Sequence, residues 1–172
     1  MNEKNIASHN ASPSPDSVSP ALTPMEEALQ EAQKAGKRGE VPVGAVLLGP
    51  TGELLARSGN RIVELKDPTA HAEILVLREG ASKFGSERLL ECDLYVTLEP
   101  CTMCAGAISF ARIRRLYFGA DDPKGGGVEN GVRFFDQPTC HHRPDVYGGI
   151  CAQEASHLLK DFFAARRGDP RA

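Results

Sequence analysis

Apolar positions are sparse at the start of the chain and recur with clear periods after residue 22. Residues 1–22 are rich in Ser, Pro, Asn and Ala, with a single Lys and few aliphatic side chains. Such a segment cannot bury enough surface to offset the entropy of ordering it, so a disordered tail is expected over 1–22. At Thr23-Pro24-Met25-Glu26 the pattern changes: Thr23 can cap a helix, Pro24 suits its first position, and Glu26 can reach back to the cap. Met25, Ala28, Leu29, Ala32 and Ala35 then follow at helical spacing, which predicts a helix over Pro24–Ala35.

Val41 to Leu48 is an apolar run, and Leu54 to Ser58 follows the turn Gly49-Pro50-Thr51-Gly52, the pattern of a β-hairpin. After a loop from Asn60 to Asp67, the stretch Ala70 to Lys83 reads as an amphipathic helix ending near Gly85, with His71 and Glu73 in its first turn. Leu94 to Leu98 is β-rich, Pro100 stops it, and Cys101 to Ala111 opens a further helix. Arg115 to Gly119 is another strand, and a Gly-rich loop follows at Asp122 to Gly131. A final helix carries Ala155, Leu158, Leu159, Phe162 and Phe163. A hairpin followed by alternating strands and helices predicts an α/β protein, a three-layer α/β/α domain around a mixed sheet.

Composition narrows this further. With 172 residues, 41% of them hydrophobic, one well-filled domain over 23–172 is expected. There is no apolar run near the roughly 20 residues of a membrane helix, and the N-terminus lacks a secretory pattern, so a cytoplasmic protein is expected. The net charge of −3 excludes indiscriminate binding of polyanions and leaves only local nucleic-acid contact, with no DNA partner expected. The five cysteines suit metal binding and free thiols better than a disulfide framework.

The chemistry concentrates at His71-Ala72-Glu73 and Pro100-Cys101-Thr102-Met103-Cys104. A catalytic zinc takes three protein ligands of nitrogen and sulfur and keeps a fourth position for water, and His71, Cys101 and Cys104 supply three. Both groups start helices, whose positive ends favour the thiolates that coordination needs. Glu73, two residues past His71, is placed to move protons as general acid/base beside a water acidified by the metal. In the alternative, Cys140, His141 or His142 closes the coordination sphere, which would waste both the water position and Glu73. Cys140-His141-His142 otherwise reads as a structural loop, and Cys92 and Cys151 as half-buried thiols.

The string H-x-E…P-C-x-x-C matches that of zinc-dependent nucleobase deaminases. Together with Glu40-Val41-Pro42-Val43-Gly44-Ala45, Asn60-Arg61, Asp67 to Ile74 and Tyr95 to Gly106, it makes the chain from Pro24 onward resemble the bacterial tRNA-specific adenosine deaminases of the cytidine deaminase-like superfamily. The resemblance implies a sheet of about five strands, one zinc per subunit on His71, Cys101 and Cys104, and Glu73 as the proton shuttle. It also implies Asn60 beside the base, the Ala72 amide and Glu99 backbone framing the reacting carbon, Val41 and Pro42 walling the pocket, and Asp122 meeting a neighbouring nucleotide. The implied reaction converts adenosine to inosine at the wobble position of a tRNA anticodon loop, in a homodimer. Asp122 to Gly131 departs from the Gly-Ala-x-Gly-Ser stretch of better-known members, whereas Arg166-Arg167 matches their terminal helix. Two other readings are a deaminase of free bases or nucleosides and a noncatalytic zinc-bound scaffold, the latter opposed by the presence of Glu73.

Overall fold

The structure, a computed structural model, describes residues 21–167. The expected tail lies outside the described residues except for Ala21 and Leu22.

The first helix, α1, spans Pro24–Lys37. It starts where the capping pattern predicts: Glu26 N donates to Thr23 Oγ1 at 3.3 Å, and Thr23 N donates to Glu26 Oε2 at 2.7 Å. It runs two residues beyond the expected end, to the point where Arg38 N donates to Lys34 O and Ala35 O. The hairpin strands are β1 (Gly44–Leu48) and β2 (Leu54–Gly59). A short helix, α2 (Ile62–Leu65), occupies part of the expected loop. Next come α3 (Ala72–Phe84), β3 (Asp93–Leu98), α4 (Thr102–Phe110) and β4 (Arg115–Ala120). A 3-10 turn at Phe134–Asp136, the edge strand β5 (Asp145–Tyr147) and α5 (Ala152–Arg166) complete the described chain.

The sheet has the order β2-β1-β3-β4-β5. β1 is antiparallel to β2 and β3, whereas β3, β4 and β5 run parallel. Alternation along each strand divides the side chains between two faces. Ala45, Leu47, Leu94, Val96, Leu116 and Phe118 face a core shared with Val76 and Leu77 of α3 and Ile108 of α4. Val46, Tyr95 and Tyr117 face Met25 and Ala28 of α1 on the other side, where α5 also packs. This is the expected α/β/α arrangement.

α2 and β5 have no counterpart in the sequence pattern. The Glu40 carboxylate is 2% exposed and accepts Val63 N and Glu64 N, both at 2.9 Å on Oε1. A residue more than twenty positions away thus satisfies the free amides at the start of α2, a long-range cap that local reading misses. β5 is three residues long, too short for a period to register. Its Tyr147 pairs with Tyr117 of β4, which pairs with Tyr95 of β3. The rings stack at 4.9 and 4.4 Å between centroids, adding cross-strand contact at the sheet edge.

Candidate metal centre and base pocket

Because β1 runs against β3, the residues entering β1 lie beside those leaving β3 and β4. The start of α3 and the start of α4 meet at the same end of the sheet. His71 is the N-cap of α3 and Cys101 the N-cap of α4, and neither makes a side-chain capping bond. Two helix N-termini therefore converge on one place.

There His71 Nδ1 lies 3.7 Å from Cys101 Sγ and 3.6 Å from Cys104 Sγ. Among the described residues, the group of ligand atoms lying within 4.8 Å of one another is His71, Cys101 and Cys104. Tetrahedral zinc, with Zn–N near 2.0 Å and Zn–S near 2.3 Å, separates nitrogen from sulfur by roughly 3.5 Å. The cluster fits that ion as it stands. Its electrostatics point the same way: the Cys104 thiol, and then His71, hydrogen-bond to Cys101 and pull its thiol down to about 4 against the opposing effect of burial. Cys104 is held up, first as the donor in that bond and then by burial. His71 is raised, chiefly by its bond to Cys101. The lowered Cys101 favours a thiolate there, and a dication would draw the proton from Cys104 as well.

Glu73 lies on the first turn of α3, 3% exposed. Burial pushes its carboxyl up to about 6, and among the described residues its Oε2 has no hydrogen-bond partner. An unpaired buried carboxylate oxygen is costly unless a ligand or a proton completes it.

The cluster forms the floor of a pocket of about 280 Å³, lined by Val41, Val43, Asn60, Ile62, Leu98, Glu99, Asp122 and Gly125 as well as by His71, Glu73 and Cys101. That is slightly below the range of about 300–1,000 Å³ for small-molecule sites, and it has room for one flat heterocycle. Of the substrate-contacting residues expected from the sequence, Val41, Asn60, Glu99 and Asp122 line it. Pro42 lies between two lining valines but faces the other way, into a groove with Gly36, Leu158 and Phe162. The fully buried Ala72 gives its amide to Asn60 Oδ1 at 2.9 Å, and the Glu99 amide bonds Ala120 O at 2.8 Å. Both amides are thus engaged within the protein.

The Cys140 loop lies elsewhere and is tied to backbone. Cys140 Sγ donates to His142 O at 3.1 Å, and His142 Nε2 meets Ile113 O at 2.7 Å. The sequence reading of a structural loop accounts for these contacts.

Val43, Ile62 and Leu98 of the lining escaped sequence reasoning, because an apolar residue at a pocket resembles one in a core. The side chain of Glu99 escaped it too. Burial would raise this carboxyl, but amides of Asp122, Asn130 and Glu129 together with the Asn130 side chain outweigh it and hold it below the usual carboxylate range. The available signal was a Glu between an apolar strand and Pro100, a position where burial is expected.

The family model described as the cytidine and deoxycytidylate deaminase zinc-binding region matches residues 19–120. The chain is 64% identical over 145 residues to a tRNA-specific adenosine deaminase of Agrobacterium fabrum, covering 84% of this chain and 95% of that one. It is 47% identical to the tRNA-specific adenosine deaminase of Haemophilus influenzae, covering 86% and 85%. A structure solved in a study of A-to-I editing by tRNA:A34 deaminases at the wobble position of transfer RNA superposes with a TM-score of 0.78 at 65% identity, covering 79% of this chain and 98% of that chain. The guanine deaminase of Nitrosomonas europaea, at 24% identity and a TM-score of 0.71 over 82% and 83% of the two chains, shares the fold. The donor set and the zinc-binding family model agree on zinc as the metal. The chain belongs to the zinc-binding cytidine and deoxycytidylate deaminase family, within its tRNA-specific adenosine deaminases.

Proposed function

We propose that this protein hydrolyses the C6 amine of the wobble adenosine in a tRNA anticodon loop, consuming water and releasing ammonia to leave inosine. The observation that carries this reading is the unpartnered Glu73 Oε2, buried beside a three-ligand metal cluster at the floor of a pocket sized for one base. The relatives named for this activity, together with the A34 deaminase structure, favour adenosine in tRNA over a free base.

His71, Cys101 and Cys104 would hold the zinc. When bound, zinc lowers the pKa of a coordinated water to about 7 and so supplies a nucleophile at neutral pH. Glu73 carries the protons: its Oε2 takes one from the attacking water and delivers it to the ring nitrogen beside C6, then takes the second from the hydroxyl added at C6 and passes it to the departing amine, which leaves as ammonia. Burial raises this carboxyl, which favours its taking up a proton from the water before passing it on. Val41, Val43, Ile62 and Leu98 exclude water from the faces of the base. Asn60 orients the pocket by bridging two of its walls, and Asp122 at the rim meets a nucleotide beside the target. A base in a loop is already partly unstacked, so extruding it costs at most a few kcal/mol.

The active form is a homodimer acting in the cytoplasm. Phe110 at the end of α4 is 74% exposed and closes an apolar groove with Ile74, Leu77 and Ala107. Such a patch favours a protein partner, and an isologous contact between copies buries both grooves at once. Among the described residues, no helix is long and apolar enough to cross a membrane.

Incubating the zinc-loaded protein with a transcribed arginine-tRNA anticodon stem-loop and with free adenosine, cytidine and guanine tests the substrate. Inosine in the stem-loop, with little ammonia from the small substrates, is expected. Ammonia from a free base with no inosine would overturn the assignment to tRNA.

A further inference from the structure

The loop from Asp122 to Asn130 is wrapped around a carboxylate. Glu99 is 2% exposed, yet its Oε1 accepts the amides of Glu129 and Asn130 at 2.8 and 2.9 Å, and that of Val128 at 3.2 Å. Its Oε2 accepts Asp122 N at 2.9 Å and Asn130 Nδ2 at 2.7 Å. Five donors on one buried anion saturate its lone pairs, the condition under which a charge is tolerated away from water.

The loop is built to let this happen. A Cβ on Gly126 would lie 2.5 Å from Glu99 Cδ and 2.6 Å from Asp122 O, and one on Gly127 would lie 2.6 Å from Thr102 N. No other residue type leaves room for backbone to close on the carboxylate from one side and on the start of α4 from the other. The same stretch is tied to the metal-binding segment: Gly127 N donates to Pro100 O at 2.8 Å, and Gly126 bridges to Cys101. From Asp122 the order passes to the pocket, because Asp122 Oδ1 accepts Gly125 N at 2.9 Å and both residues line the cavity.

We propose that the Glu99 side chain is a positioning residue for the reaction, an internal anion that holds loop 122–130 in place and so sets the pocket wall formed by Asp122 and Gly125. It accounts for the Gly-rich stretch that sets this chain apart in sequence from better-known relatives: Gly126 and Gly127 are the points of closest approach to the carboxylate and to α4. His71 and Cys101 cap α3 and α4 and Cys104 lies in the first turn of α4, so the helices hold the metal ligands and loosening the loop disturbs substrate fit before it disturbs metal binding.

The test rests on the deaminase reading but is separable from it. Glu99→Gln keeps the shape but turns an amide group toward N–H donors, leaving them without an acceptor. Gly126→Ala pushes the loop and the carboxylate apart while retaining the charge. In the zinc-loaded full chain, both variants are expected to keep one zinc per subunit. The amides of Asp122 and of residues 128–130 should lose hydrogen-exchange protection. KM should rise roughly tenfold or more, the scale of one lost charge-assisted hydrogen bond, with a smaller fall in kcat. The kinetics are measured on whichever substrate the wild-type protein deaminates, so failure on the stem-loop removes the tRNA reading and leaves this test intact. Unchanged protection and KM in both variants would overturn the proposal. So would a fall in kcat at constant KM, or loss of activity in step with loss of zinc.

Discussion

Asn60 and Ala72 are joined through the pocket wall: the buried Ala72 amide donates to Asn60 Oδ1 at 2.9 Å, while Asn60 Nδ2 donates to Val41 O at 3.2 Å. One side chain thus ties the chain leaving β2 to the start of α3 on one side and to the segment entering β1 on the other. Every polar atom of the Asn60 amide group faces a backbone partner.

Asn60→Ala leaves the Ala72 amide buried without an acceptor. The expected cost is about 1–3 kcal/mol of stability, read as a lower urea midpoint with an unchanged m-value. A midpoint equal to that of the wild type would mean that water replaces the side chain at no cost.

Glu73→Gln preserves volume but cannot cycle a proton. Turnover is expected to fall by at least about 100-fold, while metal analysis still finds one zinc per chain. Substantial turnover in a fully loaded variant would remove Glu73 from the proton path.

Stripping the zinc with a chelator should abolish activity and expose a reactive thiol. Cys101, pulled down to about 4 by its bonds from Cys104 and His71, should be alkylated by iodoacetamide at neutral pH within minutes. Cys92, pushed up to about 11 by burial, should react only after unfolding. Peptide mapping by mass spectrometry reads both, and labelling of Cys92 ahead of Cys101 would contradict the ordering.

Phe110→Glu places a charge in the apolar groove between α3 and α4. On the dimer proposed above, light scattering of the eluted peak is expected to show a dimer for the wild type and a monomer for the variant, with dimer affinity weakened about 100-fold or more. A variant that stays dimeric would move the interface elsewhere.

The capping box at the start of α1 should leave a pH signature. The backbone and side-chain bonds from Thr23 hold the Glu26 carboxyl below its unfolded value of 4.5. Its contribution to stability is therefore present above pH 4.5 and lost as pH falls through the lower folded value. The gap in urea midpoint between wild type and Thr23→Ala should shrink on acidification below 4.5. Effects shared by both proteins, such as protons competing for the zinc ligands, cancel in the difference. A gap that stays constant or widens would exclude the bond from the Thr23 hydroxyl as a source of the carboxylate's shift.

Much of the fold was legible because its signals are local. Thr23, Pro24 and Glu26 announce a helix start within four residues. Gly85, at a positive φ of 75°, ends α3 where expected. The β-rich run Leu94 to Leu98, stopped by Pro100, marks a strand. α2 was not legible, because its cap is the carboxylate of distant Glu40. β5 was not, because three residues carry no period and hold their place through pairing with β4 and stacking on Tyr117.

For the site, the sequence by itself determined the chemistry: two sulfurs, an imidazole and a nearby acid, in a spacing that helix starts make usable. Only the tertiary structure decided where that chemistry faces. It turned Val41 into the pocket and Pro42 out of it, engaged the Ala72 amide with Asn60, and gathered five donors from a distant loop around Glu99. Ligand type is a property of single residues, whereas burial and partnership belong to segments brought together by folding. A hydrogen bond between residues 99 and 130 leaves no trace in the sequence near either end.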